Sequence, residues 1–129
     1  MIRCVIFIDR SIPKPVAQAL QAVRKDVEWF EPRYPSWTKD PEWLPDAGAN
    51  GWIVILRDKK IRTRPGERQA IIDGGAGCFI VNQGTDPSKW EYLKLLALTL
   101  DEIIDTDSRT TRPYIYTISR EGGLRQVLR

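Results

Sequence analysis

The sequence predicts an α/β fold: a three-layer α/β/α sandwich with a mostly parallel central sheet, plus a C-terminal β-hairpin. Three observations predict it. Short apolar runs alternate with segments of helical periodicity, the pattern of helices laid over a parallel sheet. The runs Ile2–Ile8 and Trp52–Leu56 are nearly unbroken by polar residues, as in strands covered on both faces. The tail instead shows two short strands around Gly122-Gly123, a hairpin signature.

The first strand, Ile2–Ile8, leads into a helix with Pro13 and Pro15 at its start and Val16, Ala19, Leu20 and Val23 as its apolar stripe. A short strand at Val27–Phe30 follows, then a loop over Glu31–Lys39 holding Pro32 and Pro35. Asp40-Pro41-Glu42 opens the next helix, with Asp40 as N-cap, and Asn50-Gly51 closes it. After the Trp52–Leu56 strand come a basic loop, a helix over Pro65–Asp73 closed by Gly74-Gly75, and a strand at Gly77–Val81. Asp86-Pro87 opens a last helix, whose stripe reads Trp90, Leu93, Ala97, Leu100 and Ile104. The hairpin pairs Pro113–Ser119 with Leu124–Leu128. At 129 residues the chain is expected to be one domain, with a core over 1–108 and a hairpin extension over 109–129.

The chain contains no histidine. Ser-His-Asp and Cys-His nucleophile systems, His-ligated zinc and an imidazole base are therefore excluded. Cys4 and Cys78 lie inside apolar runs with no CxxC, where cysteine acts as a small hydrophobe. The first apolar run is broken by Arg3 and ended by Asp9, and no run reaches membrane-spanning length. A cytoplasmic protein without membrane contact is the expectation. GxxxxGK is absent, and the glycines of GGAG precede a strand, so neither nucleotide fingerprint is present. A phospho-acceptor receiver domain would show paired acids after the first strand, which are missing too.

In α/β sheets, ligands bind beyond the carboxyl ends of the strands. Asp9 directly follows the first strand, and Asp58 lies two residues past the apolar part of the third. Asp40 starts the helix that feeds that third strand. Converging carboxylates repel one another, and a hard divalent cation relieves the repulsion. Each acid also has a plain structural role open to it. Asp40 can simply cap its helix, Asp9 can end a strand, and Asp58 can sit in a turn beside Arg57 or Lys59. Around Asp58, the loop Arg57–Arg68 holds Arg57, Lys59, Lys60, Arg62, Arg64 and Arg68 against only Asp58 and Glu67. Its excess of four positive charges exceeds the whole chain's +3. A cationic strip beside a carboxylate cluster fits a phosphodiester backbone, although a solvated face has the same composition. Trp43, Trp52 and Trp90 are expected in the core, and Trp37 in the Pro-rich loop is a candidate for base stacking. The acids Asp101, Glu102, Asp105 and Asp107 are expected to be solvated.

These residues resemble the PIN-like ribonuclease domains, in particular the short VapC-type toxins of toxin–antitoxin pairs. The matching segments are FIDRSIPKPVAQAL, DPEWLPDAGANGWIVILRDKKIRTRPGERQAI and RPYIYTISREGGLRQV. The middle one is the most specific: an acid, then Leu44 and Ala47, then a strand ending in Arg57-Asp58. The resemblance implies an Mg2+- or Mn2+-dependent endoribonuclease that activates water for phosphodiester hydrolysis. Its metal-binding and catalytic acids would be Asp9, Asp40 and Asp58. Longer family members carry a fourth acid, for which Glu42 or Glu67 would have to substitute. Ser11, Lys14 and Arg57 fall near the implied site and would support the ligands or hold phosphate, with the basic loop as RNA-binding surface. The implied partners are RNA, a cognate antitoxin and a second copy of the chain. The alternative is a non-catalytic RNA-binding or protein-interaction module on the same fold. The hairpin residues Tyr114, Tyr116 and Ile118 either contact a partner or cover the core.

Overall fold

The computed structural model describes residues 4–35, 37–57, 65–81 and 87–128. In chain order these form β1 (Ile6–Ile8), α1 (Lys14–Val23), β2 (Val27–Trp29), α2 (Phe30–Arg33), α3 (Asp40–Asn50), β3 (Ile53–Arg57), α4 (Pro65–Gly74), β4 (Gly77–Val81), α5 (Lys89–Arg109), β5 (Tyr114–Ile118) and β6 (Leu124–Leu128). Among the described residues, six strands make one sheet in the order β2-β1-β3-β4-β5-β6. The first five are parallel, and β6 runs antiparallel to β5 at the edge. The mixed α/β class and the mostly parallel sheet expected from the sequence are thus present.

The order sets the position of the site. From β1 the chain moves to β2 on one side, and from β3 it moves through β4 to β5 on the other. Right-handed crossovers taken in opposite directions put their helices on opposite faces of the sheet. The crossovers through α3 and α4 move one way and that through α1 the other, and α3 accordingly packs with α4; α5 departs from the rule, since it leads in the α4 direction yet packs with α1. The direction reverses between β1 and β3, and this switch point opens a crevice at their carboxyl ends.

Unbroken apolar strands suit burial on both faces: every residue of β1 and of β4 is buried. On the α3 side, Phe7 stacks on Trp52 with ring centroids 4.8 Å apart and meets Trp43 at 5.4 Å. Farther along the sheet, Phe79 stacks on Tyr116 and meets Tyr114 edge-on. Between α3 and α4 the backbones approach so closely that a Cβ at Gly48 would overlap the carbonyl of Gly74. Gly51, at φ 69°, closes α3 in the left-handed conformation that glycine adopts freely.

Several details depart from the sequence reading. Strand β1 spans only Ile6–Ile8, and the expected loop over Glu31–Lys39 begins as the short α2. Asp40 is the first residue of α3 rather than its cap, a position held by Lys39 without a side-chain hydrogen bond. The stripe of α1 is Val16, Ala17 and Leu20, while Val23 is 79% exposed.

The largest difference is in α5. The helix starts after Ser88, whose hydroxyl accepts the Glu91 N–H while the Glu91 carboxylate accepts the Ser88 N–H. This reciprocal cap fixes the helix start. The buried stripe is Tyr92, Leu95, Leu96, Thr99, Leu100, Ile103 and Thr106, so Trp90 lies outside the core at 64% exposure.

The expected C-terminal hairpin is present as β5–β6, and β5 also pairs along its whole length with β4, which makes it part of the central sheet. Tyr114 and Ile118 are fully buried, so they belong to the core and offer no surface to a partner. Within the acidic end of α5, Asp107 is not a solvated charge. It accepts from Arg112 and from the Tyr114 hydroxyl, and Arg112 donates on to the carbonyls of Gly51 and Trp52.

Candidate active site

The site begins where β1 ends. Asp9 is 5% exposed, and its N–H donates to the Ile55 carbonyl at 2.9 Å, continuing the β1–β3 ladder. Its Oδ2 accepts the Ser11 N–H at 3.0 Å, and its carbonyl accepts the Ile12 N–H. Such a turn, made by an aspartate over its own following backbone, ends the strand and holds the carboxylate in a fixed orientation. The other oxygen, Oδ1, is buried and has no hydrogen-bond partner among the described residues. A buried carboxylate oxygen without a donor is costly unless a cation or proton meets it.

Ser11 links the two strands of the switch point. Its backbone serves Asp9, and its hydroxyl accepts the Arg57 N–H at 2.9 Å. Asp9, Ser11 and the last residue of β3 are therefore one bonded unit. Arg10 turns to the other side, where its guanidinium carbon lies 4.8 Å from the Phe30 ring centroid. Over the unit lies a groove of about 630 Å³, bounded by Ser11, Arg57 and the first turn of α5, including Lys89, Trp90 and Tyr92.

Of the residues singled out in the sequence, the structure brings Asp9, Ser11 and Arg57 together. Lys14 is exposed at the first residue of α1, and Glu42 is exposed in the first turn of α3. Arg68 is half-buried on α4. Asp58, Lys59, Lys60, Arg62 and Arg64 lie outside the described residues, as do the side chains of Asp40 and Glu67. Asp58 follows Arg57 directly in the chain. Among the described residues, no three His, Cys, Asp or Glu side chains converge as a metal cluster. The donor chemistry of Asp9 nevertheless fits a hard cation: a buried carboxylate with one oxygen committed to the backbone and one uncommitted.

Sequence reasoning missed Lys89 and Trp90 as groove residues. The signal was there, since Ser88 and Glu91 stand in capping-box spacing. The helix starts at Ser88, its first buried residue is Tyr92, and Trp90 in its first turn faces outward.

The model of the PIN-like domain matches residues 4–83, more than half of the chain. The protein belongs to the PIN-like domain family. Its fold is accordingly of nuclease type, and PIN-like domains are generally nucleases. No curated protein and no solved structure gives a significant match. Among the described residues, no helix is long and apolar enough to cross a membrane.

Proposed function

We propose that the protein is a metal-dependent endoribonuclease and the toxin of a toxin–antitoxin pair. The observation that carries the catalytic reading is Asp9: a buried carboxylate at the topological switch point, whose Oδ1 has no partner among the described residues. Membership of the PIN-like family supplies the nuclease class. The toxin role and the antitoxin partner rest on the resemblance of the segments around Asp9, Asp40 and Asp58 to the short VapC-type toxins.

Asp9, Asp40 and Asp58 would hold Mg2+ or Mn2+, with Glu42 or Glu67 as a further donor. When bound, the ion would supply Lewis acidity for in-line attack of water on the phosphorus. The chain's own residues do the rest. Ser11 holds Asp9 in one rotamer and fixes the backbone of Arg57 beside it. Arg57, Lys14, Lys89 and the basic loop through Lys59, Lys60, Arg62, Arg64 and Arg68 attract the phosphate backbone. No histidine would be needed, because an ion held by oxygen ligands would supply the part of an imidazole base.

Asp9→Asn tests this reading. The amide keeps the acceptor for the Ser11 N–H and removes the charge. The variant is expected to fold, to lose RNA cleavage and to relieve growth arrest on expression. Mn2+ should raise the melting temperature of the wild type and not that of the variant, since an ion bound only to the native state stabilises it. Cleavage and toxicity unchanged in both Asp9→Asn and Asp58→Asn overturn the proposal. Salt-sensitive RNA binding with no thermal response to millimolar metal identifies a non-catalytic binding module instead.

A further inference from the structure

Trp90 is a large apolar side chain held in water at the rim of the candidate active site. The cap at Ser88 makes it the second residue of α5, and the helix buries Tyr92, Leu95 and Leu96 while leaving the indole 64% exposed. A single exposed tryptophan means little by itself. Two depressions, however, meet at this one. The groove of about 630 Å³ runs from Lys89 and Trp90 to Ser11 and Arg57. A smaller slot of about 210 Å³ lies on apolar walls between Trp90 and Pro15, Val16 and Leu93. The Lys94 ammonium stands 5.8 Å from the ring centroid, and Lys89 borders both depressions. The first-turn acid, Glu91, is already committed to the Ser88 N–H. An aromatic face flanked by cations, next to an apolar slot and continuous with the groove over Ser11 and Arg57, matches the chemistry of one ligand: an unpaired nucleotide.

We propose that Trp90 is a base-stacking platform that seats single-stranded RNA across the active-site edge. A nucleobase lies against the indole in the Pro15–Val16 slot. Its phosphate is met by Lys89, and the strand continues over Ser11 and Arg57 toward Asp9. Stacking tolerates any base, so Trp90 selects unpaired RNA over duplex rather than a sequence. This inference rests on the ribonuclease reading above, and it makes Trp90 a substrate-binding residue outside the acid cluster.

The test compares wild type with Trp90→Ala, Trp90→Leu and Trp90→Phe on a short fluorescein-labelled single-stranded RNA. Binding is followed by anisotropy in EDTA and cleavage in Mn2+. Because the side chain is exposed, all three variants are expected to melt like the wild type. Trp90→Ala and Trp90→Leu should weaken binding and raise KM about 10-fold, the effect of losing one stacked base. Their kcat should change little, and Trp90→Phe should restore most of the loss. On an abasic strand of the same length, wild type and Trp90→Ala should bind equally. If Trp90→Ala binds and cleaves the single strand like an active wild type, the platform is overturned and the nuclease reading stands. If the wild type neither binds nor cleaves RNA, the nuclease reading falls and the platform falls with it.

Discussion

The hydroxyl of Ser11 accepts the backbone N–H of Arg57 at 2.9 Å, across 46 positions of sequence. The contact ties the ends of the parallel strands β1 and β3 where the direction of the connections reverses, and it uses the serine whose own N–H serves Asp9. One small side chain thus sets the spacing between the first acid and the segment that leads into Asp58.

Ser11→Ala should therefore affect both stability and activity. It leaves the half-buried Arg57 N–H without its acceptor, at a cost of about 1–3 kcal/mol. The urea midpoint should fall accordingly. RNA cleavage should fall further than stability alone explains, with Ser11→Thr recovering part of it. Cleavage at wild-type rate by a folded Ser11→Ala protein would show that the link is structural only.

Gly48→Ala is expected to destabilise the fold even though alanine is the better helix former by about 1 kcal/mol. The added methyl would overlap the backbone carbonyl of Gly74, which has no rotamer to move to. Overpacking of this kind costs about 1–3 kcal/mol, so a net loss is expected in chemical denaturation. Gly66→Ala, with nothing among the described residues within 4 Å of the new Cβ, should be neutral or slightly stabilising.

Alkaline pH should weaken the protein through two tyrosines. Burial and a hydrogen bond to Asp46 push the Tyr34 hydroxyl up to about 12. Burial and the bond to Asp107 push Tyr114 in the same direction. A raised folded-state pKa means that the protonated phenol is favoured by folding. Its contribution is complete below the unfolded value near 10 and is lost as pH rises through the folded value. Urea midpoints should hold to about pH 9 and decline toward about pH 12, with a smaller decline in Tyr34→Phe. Ultraviolet titration should show both phenols ionising later than tyrosine in the unfolded chain.

Most of the fold could be read from the sequence, because its signals are local. Continuous apolar runs marked β3 and β4, and Gly51 marked the end of α3. The place of Asp9 followed from its position one residue past β1. What could not be read depends on distant partners. Nothing local shows that Asp107 meets Arg112 and Tyr114, or that Ser11 reaches Arg57. The phase of α5 was misread for another reason. Asp86-Pro87 and Ser88 to Glu91 are both helix starts, and the reciprocal cap at Ser88 prevails. The buried stripe Tyr92, Leu96, Thr99 and Ile103 is turned by one residue from the expected Leu93, Ala97, Leu100 and Ile104, enough to move Trp90 from the expected core to the rim of the groove.

The chain of contacts from Asp107 through Arg112 to the carbonyls of Gly51 and Trp52 lies at the amino ends of β3 and β5. Asp9, Ser11 and Arg57 lie at the opposite, carboxyl ends. The molecule thereby keeps its clamp and its chemistry at separate poles. Substitutions at the clamped pole can be used as a dial on thermal resistance without touching the acids. On the proposed nuclease reading, a screen for lost RNA cleavage would separate damage at the two poles: lesions around Asp107 would yield scarce protein, and lesions around Asp9 abundant, inactive protein.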